Sequence, residues 1–456
     1  MPMARCRRRT LLCVCLPCVL VGNLFIYIVV SVCMTMSQSP IRLPKRFIAR
    51  GVSNSAALAP HPLRPFWNLR PDGGALWNRL QLVQDRSHNP ILRGTQVQSP
   101  DDEGSASRYL AGTNCSRDRA LTLCVPNVKT LPEQIREFVL NMHRRDYPLL
   151  LDQPAMCHSE GQEAPLLLMA IKSQEGNFEN RQAIRQTWGR GGWVKGLEGK
   201  GGIVRRVFLL GKQDSSVGHY ADMADLLELE KGRYRDILQW DFKDTFFNLT
   251  LKDVLFWHWL SHRCPDARFV FKGDDDVFVR TPALLDALLR EEQESRLGSR
   301  REMRDFFVGD VIKNAVPLRQ TSNKYFIPES FYKGLYPPYA GGGGVVYSGA
   351  LALRLKEVSQ RVHLFPIDDV YLGMCLQRLA VPPVHHRGFL TFDFPKKEGK
   401  KPCAYHSILL IHKRSPKEIL TLWEDLKVPR PDCVNKTEGF GQVAITAKLT
   451  QTRNSH

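Results

Sequence analysis

From residue 131 onward, apolar runs of strand length alternate with longer amphipathic stretches, and that alternation leaves few folds open. "PLLLMAIKS" (165–173), "VRRVFLLG" (204–211), "DILQWDF" (236–242) and "ARFVFKGDDD" (267–276) read as strands. "LPEQIREFVLNMHRRDY" (131–147), "NRQAIRQTWG" (180–189) and "LTLKDVLFWHWLSHRC" (249–264) read as helices, the first with Ile135, Phe138, Val139 and Met142 on one face. Strands separated by helices predict the α/β class, with a mostly parallel central sheet flanked by helices on both faces. Ligands of such sheets gather at the carboxyl ends of the strands, where Lys172 and Asp274 to Asp276 fall.

The 456 residues suffice for one large domain or two ordinary ones. Residues 1–10, "MPMARCRRRT", hold four arginines, and residues 11–36 follow without a charge. About 20 apolar residues cross a bilayer, whereas a cleavable signal has a core of roughly 7–15, so this run predicts a transmembrane signal anchor. Arginines ahead of the span keep the short tail cytosolic, which predicts a single-pass type II membrane protein with its body in a lumen. Residues 37–114, rich in Pro, Ser, Asn and Arg, read as a stem, within which residues 66–92 could form a short helix docking on the body. The body spans 115–433, and 434–456 reads as a disordered tail.

Cys115, Cys124, Cys157, Cys264, Cys375, Cys403 and Cys433 are scattered through the body without C-x-x-C spacing, which suits disulfides in an oxidising compartment better than a zinc site. Seven is odd, so at least one thiol is free or pairs between chains. Sequons begin at Asn114, Asn248 and Asn435. A net charge of +18 would suit nucleic acid, but the basic residues are dispersed and the compartment argues against it. Phosphate-bearing small molecules or anionic glycans are the more natural anionic partners.

Four stretches carry chemistry. "KGDDDVFV" (272–279) sets three carboxylates after an apolar strand, and like charges that close imply water or a bound cation. Oxygen ligands suit Mg²⁺ or Mn²⁺. If the strand continues, Asp274 and Asp276 point to one side and Asp275 to the other. "FPIDDVYLGMCL" (365–376) opens a helix with Asp368 and Asp369. Capping explains one aspartate, and a partly buried carboxylate beside another has the raised pKa of a general base. "YPPYAGGGGVVYSG" (336–349) carries four glycines, costly unless a ligand or backbone approaches closely, and its apolar flanks predict an ordered loop. "ILLIHKRSP" (408–416) ends a strand at His412, which alone is as readily structural as a ligand. Lys172, Arg181 and Arg185 could be surface charges or could bracket a diphosphate.

Together with "DTFFNLTLK" (244–252) and "FVGDVI" (307–312), these stretches resemble the β-1,3-glycosyltransferases of glycosyltransferase family 31 from about residue 165 to 423. "KGDDDVFV" with "PIDDVYLGMC" is similar to the N-acetylglucosaminyltransferase branch that extends poly-N-acetyllactosamine, the galactosyltransferases commonly opening the second motif with Glu-Asp. Similarity reaches the stem at "LWNRLQLVQDRSHNPIL" (76–92) and "YPLLLDQPAMC" (147–157). The resemblance implies a GT-A-type fold in the Golgi lumen, a UDP-GlcNAc donor, galactose-terminated glycan acceptors and Mn²⁺, with Mg²⁺ as alternative. It further implies a homodimer or hetero-oligomer with related transferases. Asp276 and His412 would ligate the metal; Ala170, Lys172, Arg181, Arg185, Asp274, Asp275, Gly342 and Gly343 would bind the donor. Asp369 would be the base, and Asp368 and Tyr325 would orient the acceptor. The alternatives are a β-1,3-galactosyltransferase using UDP-Gal and, more remotely, an inactive membrane-tethered glycan-binding protein. Departures from the family lie at His143–Arg144, where branch members carry a Cys, at an extra Cys124, at a longer segment 291–304, and after Cys433.

Overall fold

The computed structural model describes residues 46–48, 58–60, 75–88, 131–157, 163–213, 220–297, 302–394, 399, 401, 403–428 and 433. The cytosolic tail, the apolar span 11–36, most of the stem, Cys115, Cys124 and residues 434–456 lie outside them. Among the described residues no helix is long and apolar enough to cross a membrane. The chain divides into two compact units, Met1–His61 and Pro62–His456. In the first, β1 (Arg46–Ile48) pairs antiparallel with β2 (Leu58–Pro60).

The second unit opens with α1 (Leu76–His88), the stem helix expected to dock. Its first two backbone N–H groups, of Leu76 and Trp77, donate to Ser330 and Phe331 carbonyls at 2.8 Å. The Trp77 ring meets Tyr332 and Phe365 edge-on, and Asp85 pairs with Arg378 at 2.8 Å. Along the chain follow α2 (Glu133–Asn141), β3 (Leu149–Leu151), β4 (Leu167–Lys172), α3 (Phe178–Gln186), β5 (Gly192–Lys195), β6 (Gly201–Lys212) and α4 (Tyr220–Tyr234). Then come β7 (Ile237–Lys243), α5 (Leu249–Arg263), β8 (Phe269–Asp274), β9 (Val277–Val279), α6 (Thr281–Arg296), β10 (Phe307–Gly309), β11 (Val311–Ile312) and β12 (Tyr339–Ala340). The rest is β13 (Gly344–Ser348), α7 (Gly349–Ser359), α8 (Asp368–Arg378), β14 (Val384–His385), β15 (Phe389–Leu390), β16 (Leu410–His412) and α9 (Pro416–Lys427).

Nine strands form one sheet in the order β14-β10-β13-β8-β4-β6-β7-β3, with β5 on β6. Its centre, β8-β4-β6-β7, is parallel, but β13 on β8, β10 on β13, β3 on β7 and β5 on β6 run antiparallel. The sheet is therefore mixed where mostly parallel pairing was expected. The alternation of strand and helix predicted the centre correctly, because there β4, β6, β7 and β8 follow one another through helices, as parallel strands require.

Period-two alternation sorts the core. On β4, Leu168 and Ala170 enter one apolar cluster, with Val207, Leu238 and Trp257. Leu167, Met169 and Ile171 enter the other, with Phe208, Phe271 and Trp188. β4 is wholly buried along its length and holds no polar residue before Lys172, its last. Disulfides join Cys157 to Cys264 and Cys403 to Cys433, leaving Cys375 as a buried thiol among the described cysteines.

Candidate active site

Register brings the chemistry together. Lys172, last on β4, lies opposite Asp274, last on β8. On the other side of β8, Gly273 pairs with Gly344, so antiparallel β13 delivers the glycine run to the same sheet end. A Cβ on Gly273 would lie 2.6 Å from the Gly343 carbonyl and 2.4 Å from Phe271, so only glycine allows that approach. A small second sheet, β15-β16-β9, pairs His412 with Val277.

The acidic triplet divides as expected, through a different backbone. β8 stops at Asp274 and Asp275–Asp276 form a turn before β9. Ligand atoms of Asp274, Asp276 and His412 lie within 4.8 Å of one another, and His412 Nε2 is 3.3 Å from Asp276 Oδ1. Burial works against a charged His412 ring, but its hydrogen bond to Asp276 and the charges of Asp276 and Asp274 hold its pKa above the ordinary value. Asp275 turns inward and accepts hydrogen bonds from Ser173 Oγ at 2.6 Å and Asn177 Nδ2 at 2.9 Å. Burial pushes it up to about 6, against those two hydrogen bonds.

The second pair opens α8. Ile367 is the cap residue and no side chain caps the helix, so neither aspartate is accounted for by capping. Asp368 is nearly buried; its Oδ2 accepts from Lys172 Nζ and lies 3.5 Å from Lys272 Nζ. Lys272 also pairs with wholly buried Asp253 at 2.8 Å. Burial favours the neutral acid, but the two lysines overcome it and hold the Asp368 pKa well below the carboxylate range. Asp369 keeps 26% of its side chain exposed, lies 3.8 Å from Lys272, and accepts the Gly342 N–H at 3.0 Å. Burial and the Asp368 charge push it up to about 7, the lysines opposing. Adjacent carboxyls are thus shifted in opposite directions, Asp368 held ionised and Asp369 drawn toward its neutral form.

Several expected residues stand elsewhere. Ala170 is a core residue with no exposed surface, so the expected donor contact has nothing to touch. Arg181 is also wholly buried: Nε and Nη2 donate to Glu230 at 2.9 and 2.7 Å, and Nη1 reaches Ser173 Oγ at 3.0 Å. Arg185 donates bidentately to Asp236 at 2.9 and 2.7 Å and also holds Glu230. Their guanidinium groups are committed to internal ion pairs; Arg185 also lines a cavity with Phe178, Glu230 and Tyr234, which none of the site aspartates lines, and Arg181 touches the site only through Ser173 and Asp275. Asp368, expected to orient an acceptor, is instead clamped by lysines. Tyr325 remains exposed, with Phe246 at 5.2 Å and Lys324 over its ring at 4.9 Å. Tyr339 is pushed up to about 12 by burial, then by the charges of Asp369 and Tyr325.

Lys272, Asp253, Ser173 and Asn177 were not anticipated as parts of the site. A lysine inside "FVFKGD" and the Lys-Asp step inside apolar α5 were the available signals, since a buried charge requires a partner.

Comparison with known proteins agrees with these motifs. The Galactosyltransferase family profile matches residues 179–387. N-acetyllactosaminide beta-1,3-N-acetylglucosaminyltransferase 2 of Mus musculus is 43% identical over 415 residues, 91% of this chain and 96% of that protein. The Homo sapiens protein of the same name is 41% identical over the same shares. UDP-GlcNAc:betaGal beta-1,3-N-acetylglucosaminyltransferase 7 of Rattus norvegicus is 44% identical over 68% of this chain and 76% of that protein. A solved galactosyltransferase, LgtC with donor and acceptor sugar analogs, is similar at a TM-score of only 0.29 and 14% identity, over 57% of this chain and 93% of that one. On the length and identity of its sequence relatives, the chain belongs to glycosyltransferase family 31, among the β-1,3-N-acetylglucosaminyltransferases.

Proposed function

We propose that the chain is an inverting β-1,3-N-acetylglucosaminyltransferase of GT-A type, moving GlcNAc from UDP-GlcNAc to the 3-hydroxyl of a terminal galactose and so extending poly-N-acetyllactosamine on glycoproteins or glycolipids. In this reading residues 11–36 anchor it in the Golgi membrane with the body lumenal, alone or as an oligomer with related transferases. The names of its relatives support the donor and linkage. The observation that carries the chemistry is Asp369, a part-exposed carboxyl raised to about 7 at the same sheet end as the Asp274, Asp276 and His412 trio.

Two carboxylates and one imidazole within 4.8 Å are a donor set that fits Mn²⁺, or Mg²⁺ less well because of the nitrogen. Asp274, Asp276 and His412 would hold the ion, and bound there it would supply Lewis-acid stabilisation of the charge on departing UDP. Asp369 accepts the proton of the acceptor 3-hydroxyl as that oxygen bonds the anomeric carbon and the bond to the diphosphate breaks. A single base on the acceptor side gives in-line displacement, and α becomes β. The Gly342 N–H fixes one carboxylate oxygen of Asp369. Asp368, kept ionised by Lys172 and Lys272, raises the proton affinity of its neighbour. General-base assistance of this kind is worth about 10²–10⁴-fold.

The test is transfer by the purified full chain to a lactosamine-terminated acceptor, with UDP-GlcNAc or UDP-Gal, with Mn²⁺ or chelator. Metal-dependent transfer of GlcNAc is expected. Transfer of Gal alone would replace the donor assignment, and no transfer from either donor would return the chain to glycan binding.

A further inference from the structure

Thr391 follows β15, whose parallel pairing with β16 sets Leu390 beside Ile411 and so brings Thr391 next to His412. It is 7% exposed, and its three polar groups reach different parts of the site, the hydroxyl also lying against the Asp310 carboxylate. Its N–H donates to Asp310 Oδ2 at 3.2 Å, and its hydroxyl donates to the Gly341 carbonyl at 2.8 Å. Its carbonyl lies 3.2 Å from His412 Nδ1. A carbonyl only accepts, so Nδ1 carries a proton and Nε2 is the atom turned to Asp276.

The glycine run is held from the same place. Asp310 accepts the Gly341 N–H on its own carbonyl at 3.0 Å while its carboxylate holds Thr391. The next residue, Gly342, donates to Asp369. Its φ is +37°, and a Cβ there would lie 2.5 Å from the Thr391 methyl, so that methyl occupies the space a side chain would need. Three hydrogen bonds, joined through Thr391 itself and through the Gly341–Gly342 peptide, therefore connect His412 to Asp369.

We infer that Thr391 is a positioning residue that couples the metal-side His412 to the acceptor-side Asp369 across the glycine loop, so that filling the cation site also sets the base. The inference rests on the transferase reading above, because it needs a cation on one side and a base on the other.

The first experiment needs no variant. Amide hydrogen exchange of residues 340–344 in the full chain is measured with saturating Mn²⁺ and with chelator. Slower exchange with Mn²⁺ is expected; equal exchange would overturn the coupling. The second compares Thr391→Val, which keeps shape and loses the hydroxyl, with Thr391→Ser, which keeps the hydroxyl. Thr391→Val keeps the carbonyl that meets His412 and loses the hydroxyl tie to Gly341, so it should lower kcat by about tenfold and abolish the slowing of exchange at residues 340–344 by Mn²⁺. The KM for acceptor should hold, and Thr391→Ser should restore both quantities. A folded Thr391→Val with wild-type kcat and the wild-type response of exchange to Mn²⁺, or a serine variant no better than valine, would overturn the inference. A wild-type chain that neither binds Mn²⁺ nor transfers GlcNAc would instead overturn the reading beneath it.

Discussion

Asp369 and Asp368 are adjacent and share Lys272, yet the rest of their surroundings differ. Asp368 has two lysines on one oxygen; Asp369 has a backbone N–H, a lysine at 3.8 Å and an open side. Asp369→Asn should lower kcat/KM by about 10²–10⁴-fold while leaving the thermal midpoint near that of the wild type. The base must be ionised to work and its pKa is raised to about 7, so kcat/KM should fall as pH drops below about 7 and level off above it. A flat profile from mildly acidic to neutral pH would remove Asp369 from the role. The arginines show the opposite case. Arg181→Met leaves Glu230 short of a partner inside the fold, so it should cost about 3–5 kcal/mol in denaturant unfolding while changing the KM for donor little. The aspartate pairs were legible because acids directly after apolar runs are rare and local. The fate of Arg181 and Arg185 was not, because Glu230 and Asp236 lie some 50 positions downstream on and after another helix, and residue type alone does not separate a ligand-facing guanidinium from one enclosed by carboxylates.

Among the elements, the glycine run decides most. Gly343 has φ +84°, and a Cβ there would lie 2.9 Å from Val277 and 3.0 Å from His412. Gly343→Ala should therefore lose about 1–3 kcal/mol of stability, seen in a denaturant melt, together with transfer activity, since the atoms it displaces include the metal-side histidine. Strands β4 and β8 were legible because burial on both faces writes an uninterrupted apolar run. Helix α1 was legible from aromatic and aliphatic residues in an otherwise polar stem, although its start at Leu76 was not. Of the three-stranded β15-β16-β9 sheet only β16 was legible, as the apolar run ending at His412; β9 and β15 have three and two residues, too few for a periodic signal, and β9 pairs with β16 across more than 100 positions. That sheet is what turns a histidine at a strand end into a neighbour of Asp276.

At the scale of the molecule, the parallel centre supplies a sheet end where β4 and β8 stop together, and the antiparallel strands β13 and β10 bring in the glycine run and Asp310. The antiparallel additions were not legible, since a short apolar strand carries no mark of its direction. They matter because they carry the loop whose Gly342 N–H holds Asp369, and so, in the proposed reaction, decide from which side a hydroxyl would be deprotonated. One base, on one side, has one stereochemical consequence. The most direct test is the nuclear magnetic resonance spectrum of the product formed by the full chain from UDP-GlcNAc and a galactose-terminated acceptor. The account predicts GlcNAc on O3 of galactose with the large anomeric coupling of a β-linkage. An α-linked product, or attachment at another hydroxyl, would contradict it.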